Sequence, residues 1–338
     1  MLSAQSRIEA LTRWLTEQFS SSSIQLQALT GDAGFRRYFR FEIQGKRYIA
    51  VDSPPDKCNN EAFFAIATAM KAKHIHVPAI YHYHQSLGFF CLEDLGETLL
   101  SDKLTPHTMP DYYRLALTEL AKIQSLQDIK DWQLPVYDGP FLQMEMDIFS
   151  EWLVTHYLDI SLTELQQQQL QQCFQVLIDS ALEQPQTVVH RDFHSRNLML
   201  TGADEPLAVI DFQDAVIGPV TYDLVSLLRD CYVRWPQQQI APLVCEYYQQ
   251  WAQPVPDAVS YQHFQRWFDL MGLQRHVKAS GIFARLYLRD NKPGYLNDIP
   301  LTLSYVVDIA AKYPELQFLS ELVAQQVLPL VADKQEQQ

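Results

Sequence analysis

The sequence predicts an α+β protein of two lobes, a small one built on an antiparallel β-sheet with one helix and a large one that is mostly α-helical. Three observations predict it. Within the first hundred residues, short runs alternate apolar and polar side chains, whereas from about residue 110 apolar residues recur at helical spacing. Five of the 11 glycines fall at 31, 34, 45, 88 and 96, where a turn-rich β region needs them. The length of 338 residues also exceeds the about 250–300 at which single cores stop growing. The expected division is residues 1–95 for the small lobe, including an N-terminal helix, and 96–338 for the large one.

The elements follow in order. The opening MLSAQSRIEALTRWLTEQF places Ile8, Leu11, Leu15 and Phe19 on one helical face. Its two acidic residues and broken apolar run do not read as a signal peptide. Residues 24–29 alternate as a strand, and residues 38–43 and 47–51 flank Gln44-Gly45, a hairpin turn. Pro54 and Pro55 end the third strand. Asn59 or Asn60 caps a helix from near Glu61, with Phe63, Phe64, Ala67 and Met70 as its apolar stripe. Strands near 79–83 and 89–92 lead into Glu93-Asp94-Leu95-Gly96. Helices are expected over 111–126 and 144–158. Ser161-x-x-Glu164 reads as a capping box opening a helix to about 182, with Leu165, Phe174, Leu177 and Ile178 inward. Short strands at 187–189, 197–200 and 207–211 intervene before helices resume to about 332.

Composition excludes several classes. At 47% hydrophobic and 20% charged residues, the chain can bury a large core and is not disordered. With 26 Lys+Arg against 40 Asp+Glu, the net charge of −14 argues against a nucleic-acid partner. Five cysteines without a CxxC pair fit a reducing compartment. No apolar run approaches the about 20 residues that span a bilayer. The expectation is a soluble, cytoplasmic monomer acting on a small molecule.

The chemistry concentrates in Val188-Val189-His190-Arg191-Asp192-Phe193-His194-Ser195-Arg196-Asn197, followed by Asp211 at the end of an apolar strand. Phosphoryl transfer from ATP needs a carboxylate to take the acceptor's proton, plus a second carboxylate and an amide oxygen to hold Mg²⁺ against the phosphates. His-Arg-Asp-x4-Asn followed by a strand ending in Asp-Phe supplies that set in the order protein kinases use. Asp192 is the candidate base, with Asn197 and Asp211 as the Mg²⁺ ligands. Between the first two strands, Gly31-Asp32-Ala33-Gly34-Phe35-Arg36-Arg37 forms a turn whose backbone N–H groups can cradle phosphates. Leu92, Glu93 and Asp94 leave the fifth strand where a two-lobed kinase offers backbone groups to adenine.

On these blocks, together with VDSPP, CLEDLG, VIDFQDAVIGPVTYDLVSLLRD and LQRHVKASGIFARLYLRDNKPGYLNDIP, the chain resembles the aminoglycoside phosphotransferase and choline kinase superfamily. That superfamily has a protein-kinase-like fold. Within it, the chain is similar to the bacterial anomeric kinases of N-acetylmuramate and N-acetylglucosamine in cell-wall sugar recycling. The resemblance implies a sugar 1-phosphate product, Asp192 as catalytic base, Asn197 and Asp211 on Mg²⁺, and Asp223 bracing the catalytic loop.

Two departures stand out. Related loops read Asp-Ala-Ser-Phe-Arg-Arg-Tyr, but position 34 is glycine here. The kinase pattern V-A-I-K would place a lysine on the third strand, where this chain has Ile49-Ala50-Val51-Asp52. Arg37, Arg40, Lys46 and Lys57 are candidates for the phosphate cation, and the usual lysine–glutamate partnership with Glu61 is left unassigned. On the acceptor side, residues 262–292 carry six basic and two acidic groups, a local cationic face suited to an anionic sugar. Arg275, Lys278, Arg285 and Arg289, with His194, are the candidate acceptor contacts. Alternatives are an aminoglycoside- or choline-type acceptor, and a nucleotide-binding pseudokinase.

Overall fold

Repeated reversals of direction in the first hundred residues build the sheet, and longer amphipathic segments build the rest. The computed structural model describes residues 4–21, 23–29, 35–127, 129–202, 205–252 and 254–336. In chain order come α1 (Ala4–Phe19), β1 (Gln27–Ala28), β2 (Arg37–Ile43), β3 (Lys46–Asp52), α2 (Asn60–Ala72), β4 (Ile80–His84) and β5 (Phe89–Glu93). Next are α3 (Met109–Gln124), α4 (Gly139–Ile148) with a π-helical continuation (Phe149–Tyr157), and α5 (Glu164–Leu182). Four short strands follow: β6 (Gln186–Val189), β7 (Leu198–Met199), β8 (Ala208–Val209) and β9 (Val216–Pro219). The chain ends with α6 (Tyr222–Leu228), α7 (Gln237–Gln250), α8 (Tyr261–Asp290), α9 (Ile299–Ala310), α10 (Gln317–Leu322) and α11 (Leu328–Glu336). Two compact units result. The first comprises Met1–Lys103, Leu126–Gln133 and Arg196–Asp214; the second comprises Leu104–Ser125, Leu134–Ser195 and Ala215–Gln338.

The first unit is organised by an antiparallel sheet of order β1-β2-β3-β5-β4. Gln44 and Gly45 join β2 to β3 with φ of 52° and 77°, the paired left-handed residues that suit a two-residue hairpin. Strand alternation then gives the sheet two faces. On one, Phe39, Phe41, Ala50, Phe89 and Cys91 pack against Leu11, Trp14 and Leu15 of α1. On the other, Phe63 of α2 meets Phe90 edge-on at 5.2 Å, and Phe90 stacks on Tyr83 at 4.3 Å. Asn59 is the cap of α2, its Oδ1 accepting from Ala62 N at 3.1 Å. Two details differ from expectation. β1 spans only two residues, and Phe64 is exposed because Ile66 takes the buried place beside Phe63 and Ala67.

An ion cluster fastens α1 to the sheet. Asp52 is fully buried, and its Oδ1 accepts from Arg7 Nε at 2.8 Å and Nη2 at 2.5 Å. Its Oδ2 accepts from Arg37 Nε at 3.0 Å. Removing one partner from such a buried pair costs about 3–5 kcal/mol, since the remaining charge is left without water or a counter-ion.

The second unit is helical, and α8, at 30 residues, is its longest element. A Cβ at Gly281 would lie 2.5 Å from Phe149 N and 2.6 Å from Ile148 C. Only glycine lets α8 approach the backbone where α4 passes into the π-helical segment. The capping box of α5 is Thr163 with Gln166, not Ser161 with Glu164. Starting there leaves Leu165 exposed, while Phe174, Leu177 and Ile178 are buried as expected. Strand β9, antiparallel to β6, was not foreseen. No helix among the described residues is long and apolar enough to cross a membrane.

Candidate active site

In the second unit the loop after β6 is pinned from beneath. Asp223, fully buried in the first turn of α6, accepts from His190 N at 2.6 Å on Oδ2 and from Arg191 N at 3.0 Å on Oδ1. These two bonds fasten Arg191 in the left-handed region, at φ 77°, a conformation that costs of order 1–3 kcal/mol for a non-glycine residue. Asp192 follows this constrained residue. Its N–H donates to His190 Nδ1 at 3.3 Å and its carbonyl accepts from His194 N at 3.0 Å. Ser195 Oγ donates to Asp230 Oδ2 at 3.0 Å, fixing the far end of the loop.

A buried charge cluster surrounds this loop. Glu145 of α4 is 2% exposed and accepts from Arg191 Nη2 at 2.6 Å, Lys278 Nζ at 2.8 Å and the Tyr137 hydroxyl. Lys278 also donates to the Tyr222 hydroxyl at 3.1 Å, and Arg275 lies over the Tyr222 ring at 5.1 Å. Desolvation alone would raise the Asp192 carboxyl. Lys278, His194, Arg191 and Arg275 outweigh it and hold Asp192 below the usual carboxylate range. Burial likewise opposes ionisation of Glu145, but Lys278 and Arg191 prevail and lower it. Asp223 goes the other way: burial raises it to about 6, only partly offset by His190, Arg275 and its two backbone bonds. Asp192 is therefore a carboxylate at neutral pH, held in a rigid loop beside several cations.

Sequence reasoning took Arg275 and Lys278 as candidate acceptor contacts on a local cationic face. In the structure Arg275 is 8% exposed and Lys278 is engaged by Glu145 and Tyr222. Arg285 is half-buried, and Arg289 is exposed and paired with Asp290 at 2.8 Å. His194 meets the Tyr232 ring at 5.5 Å. Glu145 was missed. Its position three residues after Leu142 and four before Phe149, both fully buried, put a carboxylate on an apolar stripe, which was the available signal.

The other predicted residues lie in the first unit. β7 and β8 pair antiparallel, Leu198 opposite Val209, and Ile210 N donates to Asn197 O at 3.1 Å. This hairpin brings Asn197 beside the strand end that carries Asp211. Asp211 adopts φ 65°, and its Oδ1 accepts from Gln213 Nε2 at 2.7 Å. Phe212 is buried and stacks on Phe63 at 5.0 Å. One carboxylate and one amide oxygen are hard donors of the kind Mg²⁺ takes alongside phosphate oxygens, so these residues fit that metal. Gly31, Asp32, Ala33 and Gly34 lie outside the described residues. Phe35 is exposed.

The strand end at Leu92, Glu93 and Asp94 is tied down. Leu92 is buried, Glu93 N donates to Ala79 O at 2.9 Å, and Asp94 Oδ1 accepts from Gly96 N at 3.0 Å. Arg40 bridges Asp94, at 2.7 Å, and Glu97. Of the other proposed cations, Arg37 is bound to Asp52 on the α1 face. Lys46 stands over the Tyr81 ring at 4.7 Å and Lys57 over the Phe35 ring at 4.9 Å.

Residues 25–260 match the phosphotransferase enzyme family. The chain is 39% identical over 330 residues to an N-acetylmuramate/N-acetylglucosamine kinase of Pseudomonas putida, covering 94% of this chain and 96% of that protein. A kinase of the same name from Neisseria meningitidis serogroup B is 38% identical over 323 residues, covering 94% and 95%. In fold the chain resembles choline kinase LicA from Streptococcus pneumoniae, with a TM-score of 0.63 at 14% identity over 88% of this chain and 98% of that one. LicA has also been solved in complex with AMP. The pinned loop, the β7–β8 hairpin and these matches agree: the chain belongs to the phosphotransferase enzyme family and has the α+β fold of its kinases.

Proposed function

We propose that the protein is an ATP- and Mg²⁺-dependent kinase that phosphorylates the anomeric hydroxyl of N-acetylmuramate or N-acetylglucosamine, releasing a sugar 1-phosphate and ADP. The observation that carries the reading is the ionised Asp192 in a loop braced by Asp223, in a chain 39% identical to a kinase of these two sugars. A carboxylate held in one orientation accepts the hydroxyl proton as the oxygen attacks the γ-phosphorus. The bond to the β–γ bridging oxygen breaks, and ADP leaves. Asn197 and Asp211 would hold Mg²⁺, which neutralises charge on the phosphates when bound. The first unit is assigned to the nucleotide, with the strand end at Leu92–Asp94 toward adenine; that a choline kinase of this fold has been solved with AMP supports nucleotide binding as such.

The test is an ADP-release assay across N-acetylmuramate, N-acetylglucosamine, kanamycin and choline, with phosphorus NMR to locate the new phosphate. Turnover on an N-acetyl sugar with a 1-phosphate product supports the reading. Turnover on kanamycin or choline alone, or a phosphate on another carbon, overturns it. Asp192→Ala should lose most turnover while still binding ATP, and near-normal turnover would remove Asp192 from the role of base.

A further inference from the structure

The third-strand lysine is missing, and alternation along β2 shows which side chain can replace it. Phe39 and Phe41 face α1, so Arg37, of the same parity, does too and is taken by Asp52. Arg36 has the parity of Tyr38 and turns to the α2 face. There its Nε donates to Ser53 Oγ at 3.0 Å, its Nη2 donates to Asn59 O at 3.2 Å, and its guanidinium lies 5.5 Å from the Phe63 ring centroid. Phe63 is also the ring on which Phe212, the neighbour of Asp211, is stacked.

We infer that Arg36 is the nucleotide-phosphate cation of this protein, standing where other kinases use a third-strand lysine. The inference rests on the kinase reading above. Arg36 is held on a prepared platform. Ser53 is fully buried, and its Oγ donates to Asn60 Oδ1 at 2.6 Å while Asn60 Nδ2 donates to Ser53 O at 2.8 Å. Ser53 N donates to Gly88 O at 2.8 Å, and a Cβ at Gly88 would fall 1.9 Å from Ser53 O and 2.7 Å from Asn60 Nδ2. Gly88, at φ 67°, therefore has to be glycine for this platform to form. The helix cap takes over the role usually given to a helix glutamate: Asn59 supplies the carbonyl that orients the cation, and Glu61 instead accepts from Gln85 at 3.1 Å. The fork of Arg36 is thus fixed by Nε and Nη2, which among the described residues leaves Nη1 for phosphate oxygens. A planar, always-charged donor suits that task.

The experiment is calorimetric titration of the full chain with ATP, ADP and adenosine, for wild type, Arg36→Met and Arg36→Lys. Methionine keeps the stem over Phe63 and removes the charge. ATP and ADP should bind about tenfold or more weaker to Arg36→Met, as when a hydrogen bond to a charged group is lost. Adenosine should bind equally to both, which also shows that the variant is folded, and Arg36→Lys should recover part of the loss. Equal ATP affinity in wild type and Arg36→Met overturns the assignment of Arg36 and leaves the kinase reading standing. A folded wild type that binds no ATP overturns both.

Discussion

Glu145 offers the sharpest test of how the loop carrying Asp192 is held. It is buried, yet it carries the charges of both Arg191 and Lys278, at 2.6 and 2.8 Å, and receives the Tyr137 hydroxyl. Glu145→Gln keeps the shape and removes the charge, leaving two mostly buried cations without their counter-ion. Losing one partner of a buried ion pair costs about 3–5 kcal/mol. For a unit of roughly 150–250 residues, each kcal/mol moves the midpoint by about 2–4 °C, so the apparent Tm should fall by at least about 6 °C. The measurement is a thermal melt near neutral pH followed by circular dichroism. Lys278→Met in the same background should restore part of the loss, because it removes one stranded cation. Acid should erase the difference. The folded carboxyl of Glu145 is lowered, so its contribution is present above its ordinary 4.5 and lost as pH falls through the folded value. A variant melting within about 1 °C of wild type would refute the reasoning.

Further outcomes follow from the same geometry. Asp223 is raised by burial from 3.8 to about 6, so the folded state holds its proton more tightly than the unfolded chain. That contribution is complete below pH 3.8 and is lost as pH rises through about 6. Urea titrations of wild type and Asp223→Asn should diverge across this window by on the order of 2–3 kcal/mol, wild type losing ground as pH rises; a pH-independent gap sinks the idea. Gly281→Ala should destabilise by about 1–3 kcal/mol or more, because its methyl meets backbone atoms of Ile148 and Phe149 that cannot swing aside. An unchanged urea midpoint would show that α8 and the π-helical segment can separate without loss.

What was legible in the sequence was local. Asn59 and the Gln44-Gly45 turn act within four residues of themselves, so the helix cap and hairpin could be read directly. Asp192, Asn197 and Asp211 could be proposed because their spacing along one stretch is itself the signal. Thr163-x-x-Gln166 and Ser161-x-x-Glu164 are equivalent as local patterns, and burial of Leu170, Cys173 and Phe174 decides where the helix begins. Glu145 has partners at 191 and 278, and no pattern along the chain connects them. The adjacent arginines 36 and 37 make the same point: alternation says they diverge, but only the packing of α1 says which face each one takes.

The first unit is discontinuous, and that sets an order on its assembly during synthesis. Its sheet is complete by Glu93, yet the His76–Ala208 and Leu99–Met199 bridges, and the cluster of Leu95, Met199 and Ala208, wait for residues beyond 195. A ribosome must therefore produce the loop carrying Asp192 before the first unit can close over its own last hairpin. Until then Leu95 and Leu99 have no partner strand, and a nascent chain paused in this interval exposes an unfilled apolar edge. Cutting the chain at the end of its visible sheet would yield the same unfinished body, not an independent domain.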